Sequence, residues 1–446
     1  MSLASPTSSA TGVSPAAADP ALQQVIDEVD RWFSRIDVRR LANGMTACVL
    51  PDRRAPLVAS AIAYRAGTRD EGPGLGGAAH FLEHMMFKGS ERFGLGEIDR
   101  LTQAAGGSNN AFTSHDLTLY YFTFASDRWR LALDIEADRM AGLLLDPAEV
   151  ESERQVIHEE IAMYEGEPWD MLMQEVQKAF FGDHPYARPV LGTRAELDAH
   201  DRNTLGDFHR RFYRPSGAVA VITGDVDPEA AHAEVAERFA ALDSAASLER
   251  PEAPTPAAPR LASVERRQGE LARLELAFPS PAADDPLFPV LRLLLGVLTL
   301  GRTSRLHRAL VDDSQQCLWV SADAQETLDP GIASVTAELV PGGDPQRVEA
   351  AIQRELDALL RQPPSEEEIA RVRRVILADW LFAHERTEQR TFLIAGAAAL
   401  VDLGHPARAL RRLLGADRES LLEAARRFLE PERRIVGWSW PEEPSR

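Results

Sequence analysis

His80, Glu83 and His84 are the residues of this 446-residue chain whose types and spacing most directly suggest chemistry. They lie in Gly76-Gly77-Ala78-Ala79-His80-Phe81-Leu82-Glu83-His84-Met85-Met86-Phe87, which has no proline and reads as a helix entered through glycines. Residues four apart on a helix sit one turn above each other, so both imidazoles reach a single ion. Glu83 stands beside them, placed to act on a water held by that ion. Borderline-soft zinc suits imidazole, and a catalytic zinc site keeps one position open for water. The plainer reading is two satisfied core histidines, and a third ligand separates the two readings.

A second informative group is Glu153-Arg154-Gln155-Val156-Ile157-His158-Glu159-Glu160-Ile161, inside a predicted helix over 147–165. Glu153 and Glu160 are seven positions apart and share a face, whereas Glu159 points about 100° away from Glu160 and reads as solvated. A carboxylate on a second helix is a sensible third donor.

The elements that must position these residues follow from pattern. A short amphipathic helix is expected over 23–34. Strands at 37–40 and 46–50 flank Asn43-Gly44, a strong hairpin signal. A third strand covers 57–65, and a helix covers 96–105. The segment Gly106-Gly107-Ser108-Asn109-Asn110-Ala111-Phe112-Thr113 opens an extended region running through 117–124, whose alternation fits a strand with one solvated face. Helices over 127–145 and 147–165 follow, then a strand at 218–223 and a helix from Pro228.

Proline and alanine accumulate over 244–262, as in an interdomain linker. Beyond it the pattern restarts with a strand at 271–278, an apolar helix at 287–300 and a strand at 332–339. Glu368-Ile369-x-x-x-Arg373-x-Val375-Ile376 echoes Glu149-Val150-x-x-x-Arg154-x-Val156-Ile157 with the same internal spacing. Two copies of one α+β unit are therefore expected: 23–243 and 263–446, joined by 244–262 and preceded by a flexible tail over 1–22. The second copy has no His-x-x-Glu-His, and Val372 matches Glu153 there.

Composition limits the function classes. A net charge of −20 argues against binding a nucleic acid backbone, which demands basic surface. No apolar run approaches a membrane span. Cys48 and Cys317 are far apart, lack metal spacing and read as buried thiols. The first twenty residues lack the basic and apolar regions of a signal peptide, so the cytoplasm is the expected compartment. A leader removed ahead of Met1 would place the protein in the periplasm instead.

Taken in order, these motifs resemble the pitrilysin and mitochondrial processing peptidase family, inverzincin zinc metallopeptidases marked by His-x-x-Glu-His. The resemblance rests on His80 to Gly89, on Asn110-Ala111-x-Thr113 and on Glu153-Arg154 through Glu160-Ile161. It extends to His184-Pro185-Tyr186 with Gly192, and to Tyr213-x-Pro215 before Gly224. It implies an α+β fold with two like domains on mixed or antiparallel sheets, forming half of a clamshell around a chamber. It implies one zinc ion held by His80, His84 and Glu160, Glu83 as general base, and Glu153 supporting a ligand from the outer shell. The interval from His84 to Glu160 is within one of the family's usual spacing. Asn110, Ala111 and Thr113 resemble the edge strand along which an unfolded peptide lies as an added strand. The implied activity is zinc-dependent hydrolysis of extended peptides.

The chain departs from the family in its second half. Aligning Ser304-Arg305-Leu306 with the family motif places Val311 and Leu318 where active members carry an arginine and a tyrosine that stabilise the developing oxyanion. All six tyrosines, at 64, 120, 121, 164, 186 and 213, lie in the first half. Two arrangements are compatible with this: a heterodimer whose zinc-less partner supplies the pair, or a homodimer that manages with other groups. A non-catalytic core or assembly subunit retaining the fold is the competing function class.

Overall fold

A computed structural model describes residues 20–242, 250–256 and 259–442. Two sheets organise it. The first comprises β1 (Asp37–Arg40), β2 (Thr46–Pro51), β3 (Leu57–Tyr64), β4 (Ser108–Thr113), β5 (Thr118–Ala125) and β6 (Ala218–Gly224), in the order β1-β2-β6-β3-β5-β4. The second comprises β7 (Ala262–Arg267), β8 (Arg273–Ser280), β9 (Cys317–Ala324), β10 (Gly331–Leu339) and β11 (Ile435–Trp440), in the order β7-β11-β8-β10-β9.

The two sheets share one topology. β2 runs parallel to β6, and β6, β3, β5 and β4 then alternate antiparallel. β7 runs parallel to β11, and β11, β8, β10 and β9 alternate likewise. β1, the added arm of the Asn43-Gly44 hairpin, has no counterpart in the second sheet. Helices Pro147–Gly166 and Glu366–Ala383 start at the same offset in the chain as the sequence echo, and so do Pro168–Phe181 and Thr387–Leu400. The echo therefore marks a structural repeat, and the α+β expectation holds.

The packing is less separable than the sequence suggests. β6 is buried along its whole length and β3 nearly so, so the first sheet needs cover on both faces. One face receives helix Thr387–Leu400 from the second half, with Ile394, Ala395 and Ala398 on Ala61, Ala63, Val219 and Val221. Reciprocally, helix Pro168–Phe181 lies across the second sheet, with Leu172, Val176 and Phe180 against Ala277, Ile332 and Ile435. The first helix, Pro20–Ser34, buries Val29 in the second core against helix His405–Gly415. The chain segment 23–243 is thus not a self-contained packing unit.

The first helix starts at Pro20, inside the expected tail; residues 1–19 of that tail lie outside the described residues. The helix expected over 127–145 is Arg130–Gly142, because Leu143 leaves helical geometry to bridge Ser90. The 244–262 segment, where described, is fastened rather than free. Arg250 donates to Asp70 Oδ1 and Oδ2 at 2.9 and 2.6 Å and to Asp116 O at 2.9 Å, and Pro251 O accepts from Arg69 at 2.9 Å. Residues 244–249 and 257–258 of this stretch, and residue 243 before it, are outside the described residues. Both cysteines are buried free thiols, each with its pKa pushed up to about 12 by burial. Among the described residues no helix is long and apolar enough to cross a membrane.

Candidate metal centre

The expected helix forms over Ala78–Met85. Its start requires glycine at two places. Gly77 has φ +81°, and a Cβ there would lie 2.5 Å from Leu191 O. Gly192 has φ +71°, and its Cβ would lie 2.5 Å from Gly76 O. Two backbones cross here at a distance no side chain permits. The helix N-terminus is capped from outside by Glu71, whose carboxylate accepts from Gly77 N at 3.1 Å and Ala79 N at 2.9 Å. Sequence reading missed Glu71; an acidic residue shortly before a glycine-led helix start was the available signal.

His80 and His84 lie on consecutive turns and meet edge to face, with ring centroids 4.7 Å apart. The second helix, Pro147–Gly166, is capped by Asp146 accepting from Ala148 N at 2.8 Å, and it passes alongside. It carries Glu160 Oε2 to 3.7 Å from His80 Nε2 and 3.5 Å from His84 Nε2. One donor atom from each of the three lies within 4.8 Å of the others, the one such grouping found among the described residues. Tetrahedral zinc bonds of about 2.1 Å set ligand separations of about 3.4 Å, so this donor set fits the ion.

Glu153, on the same face as Glu160, accepts from His84 Nδ1 at 2.8 Å and meets Lys88 Nζ at 2.5 Å. A proton on Nδ1 leaves the Nε2 lone pair directed at the centre. Burial, and then His84, push the pKa of His80 down to about 4, which leaves its imidazole neutral. Burial also opposes charge on His84, but Glu153 and Glu160 outweigh it and carry that pKa up to about 9. Contact with His84 holds Glu160 below the usual carboxylate range despite burial. The cluster favours positive charge at its centre. Glu83 is raised above that range by burial, with the Thr113 hydroxyl and N–H opposing the shift. The Thr113 hydroxyl donates to Glu83 Oε2 at 2.6 Å.

β4 is an edge strand of the first sheet, at the end opposite β1. Ser114 N donates to Leu117 O at 2.8 Å, so in the alternating ladder Thr113 and Thr118 form a non-hydrogen-bonded pair, as do Ala111 and Tyr120. The backbones of Ala111 and Thr113 consequently face away from β5. The exposed Asn110 covers one of these groups, its Oδ1 accepting from Ala111 N at 2.8 Å. A cavity of about 800 Å³ opens here, lined by His80, Glu83, Glu160, Ala111 and Thr113 among others. Glu159 is exposed, as expected.

Other motif residues lie elsewhere. Tyr186 donates its hydroxyl to Asp116, with O–O distances of 2.7 and 2.9 Å, and accepts from Asp329 N at 3.0 Å, so it joins the two halves. Tyr213 is buried and stacks on Tyr64 at 4.4 Å. In the second half Arg305 pairs with Glu368 at 2.7 Å, Leu318 is exposed, and Trp319 lies 5.1 Å from Trp169.

Two family descriptions match in sequence: "Insulinase (Peptidase family M16)" over residues 48–194, and "Peptidase M16 inactive domain" over residues 200–376. The chain belongs to peptidase family M16. The second match covers the half without the His-x-x-Glu-His motif. An uncharacterized zinc protease of Mycobacterium leprae is 41% identical over 173 residues, 39% of each chain. One of Streptomyces coelicolor is 34% identical over 253 residues, 54% of each chain. The matched region thus spans about two fifths to one half of the length of these two relatives. The same fold over most of the chain is seen in the crystal structure of a protease from Helicobacter pylori. Its TM-score is 0.84 at 23% identity, covering 91% of this chain and 99% of that one. An M16-like peptidase of Alicyclobacillus acidocaldarius gives 0.79 at 23% identity, covering 91% and 98%.

Proposed function

We propose that this chain is a zinc-dependent endopeptidase that hydrolyses extended peptides within a chamber. The observation that carries this reading is the convergence of His80, His84 and Glu160 on one point, with the Glu83 carboxylate beside it. His80, His84 and Glu160 hold the ion, and Glu153 orients His84. Zinc, when bound, supplies Lewis acidity to the scissile carbonyl and to the attacking water. Glu83 accepts the proton of that water and delivers it to the departing amine; its raised pKa suits both transfers. The outward backbones of Ala111 and Thr113, with Asn110 at the edge, take the peptide as an added strand, which gives affinity with little sequence preference.

The protein acts as the zinc-bearing subunit of a dimer: a zinc-less homologue supplies the oxyanion-stabilising arginine and tyrosine, or a second copy of this chain completes the site with other groups. Its compartment on this reading is the cytoplasm, which fractionation tests. The experiment is cleavage of a quenched, unstructured peptide by the purified chain, with and without chelator, beside Glu83→Gln. Cleavage lost in both controls supports the peptidase and removes the need for a heterologous partner. Zinc binding without cleavage, alone and with zinc-less homologues, overturns it in favour of a non-catalytic assembly subunit.

A further inference from the structure

Thr113 sits on the edge strand with its backbone turned outward and its side chain turned inward. The strand alternates exposed and half-buried positions, and Thr113 is on the half-buried side with Asn109 and Ala111. Its hydroxyl has one proton. Two acceptors are near: Glu83 Oε2 at 2.6 Å and Thr118 Oγ1 at 3.4 Å. Thr118 is fully buried and donates its own proton to Ala66 O at 2.9 Å. The shorter contact, to an anionic acceptor, takes the Thr113 proton. Thr118 stands behind Thr113 and helps to fix its side chain, and a β-branched residue in a strand has little χ1 freedom.

We propose that Thr113 is a positioning residue for Glu83, and that its side chain serves the base rather than the substrate. The hydroxyl ties down Oε2 and leaves Oε1 as the atom that takes the proton of the attacking water. The same residue presents its C=O to this edge of the sheet. A peptide pairing with that edge immobilises the strand that carries the hydroxyl, so the base is set by the strand the substrate occupies. This rests on the peptidase reading and goes beyond it by giving the Thr113 hydroxyl, together with its N–H, to the base and leaving its C=O to the peptide.

The test compares wild type, Thr113→Val and Thr113→Ser. Valine keeps the shape and strand propensity and removes the donor; serine restores the donor. The expected result is a fall of about 10- to 100-fold in kcat for Thr113→Val, with KM, zinc content and thermal midpoint near wild type, and recovery of most of kcat in Thr113→Ser. An unchanged kcat, a loss confined to KM, or failure of serine to recover what valine loses overturns the proposal. A second readout does not need turnover. Crystal structures of the metal-free wild type and Thr113→Val are expected to show one Glu83 carboxylate position in the first and a rotated or divided one in the second. The same position in both overturns the proposal. If wild type cleaves no peptide the peptidase reading fails, and the crystal comparison still decides whether Thr113 sets Glu83.

Discussion

Val372 occupies in the second half the place that Glu153 occupies in the first, each the seventh position of its helix in the repeated pair Pro147–Gly166 and Glu366–Ala383. In the first half the neighbouring helix presents His84, and Glu153 accepts from its Nδ1 at 2.8 Å. In the second half the neighbouring helix, Phe288–Thr299, presents Gly296, where an added Cβ would lie 2.6 Å from Val372 Cγ1. One helix pair is held by a hydrogen-bonded carboxylate, the other by close apolar contact. The repeat has kept the packing and differs in the chemistry.

This contrast makes Glu153 separable from the fold. Glu153→Ala leaves His84 without its acceptor and Lys88 without its carboxylate. Zinc affinity is expected to fall about 10- to 100-fold, the usual cost of losing an outer-shell partner. Titration against a competing chelator measures it. An affinity equal to wild type would show that the His84 ring is oriented by packing alone.

Gly192 is expected to be intolerant for a reason outside the metal cluster. Gly192→Ala places a methyl 2.5 Å from Gly76 O at φ +71°, so the start of the metal helix must shift. Loss of more than about 1 kcal/mol of stability is expected, together with reduced zinc occupancy. Gly182→Ala is the control: φ is +56°, yet nothing lies within 4 Å of the new methyl. Denaturant unfolding and metal analysis of the two variants separate backbone strain from collision. Equal effects would exclude the collision.

Much of this site was legible because its parts are local. His80, Glu83 and His84 fall on one helix, and Glu153 and Glu160 on another, so spacing alone put each set on one face. Glu71 and Thr113 act across loops and strands, where spacing says nothing of what a side chain meets. The exchanged helices were hidden for a similar reason. The apolar residues of Pro168–Phe181 and Thr387–Leu400 announce burial, but not which sheet they cover. Alternation in the extended region through 117–124 suggested one solvated face, the resemblance made 110–113 an edge strand, and the strand order puts β4 at the edge.

The junction of the two halves yields a further expectation. Tyr186 bridges Asp116 and Asp329 N, and Leu328 N also donates to Asp116 at 2.9 Å. Tyr186→Phe leaves a buried carboxylate short of a donor, at an expected cost of about 1–3 kcal/mol. Because Leu328 and Asp329 belong to the second half, the loss should loosen the junction before either core. Hydrogen exchange is expected to rise first around residues 326–330 and 184–187. Uniform acceleration across both sheets would contradict this.

Glu275 gives the chain a pH dependence of its own. It lies in the interior of the second sheet, 4% exposed, and accepts from Ser334 Oγ at 2.6 Å. Burial pushes its pKa up to about 7, with the Ser334 bond opposing. An acid whose folded pKa exceeds its unfolded value holds its proton more tightly when folded. Below the unfolded value near 4.5 both states are protonated and Glu275 adds no pH dependence. Stability then falls as pH rises from about 4.5 to about 7, and the cost stays in place above that, amounting to at most about 3 kcal/mol. Glu275→Gln keeps an acceptor for Ser334 and removes the charge. Its thermal midpoint is expected to exceed wild type above pH 7 and to converge with it near pH 4.5. Midpoints measured for both proteins across this range test the sign, and a variant less stable than wild type at pH 8 would show that the buried charge is compensated within the fold.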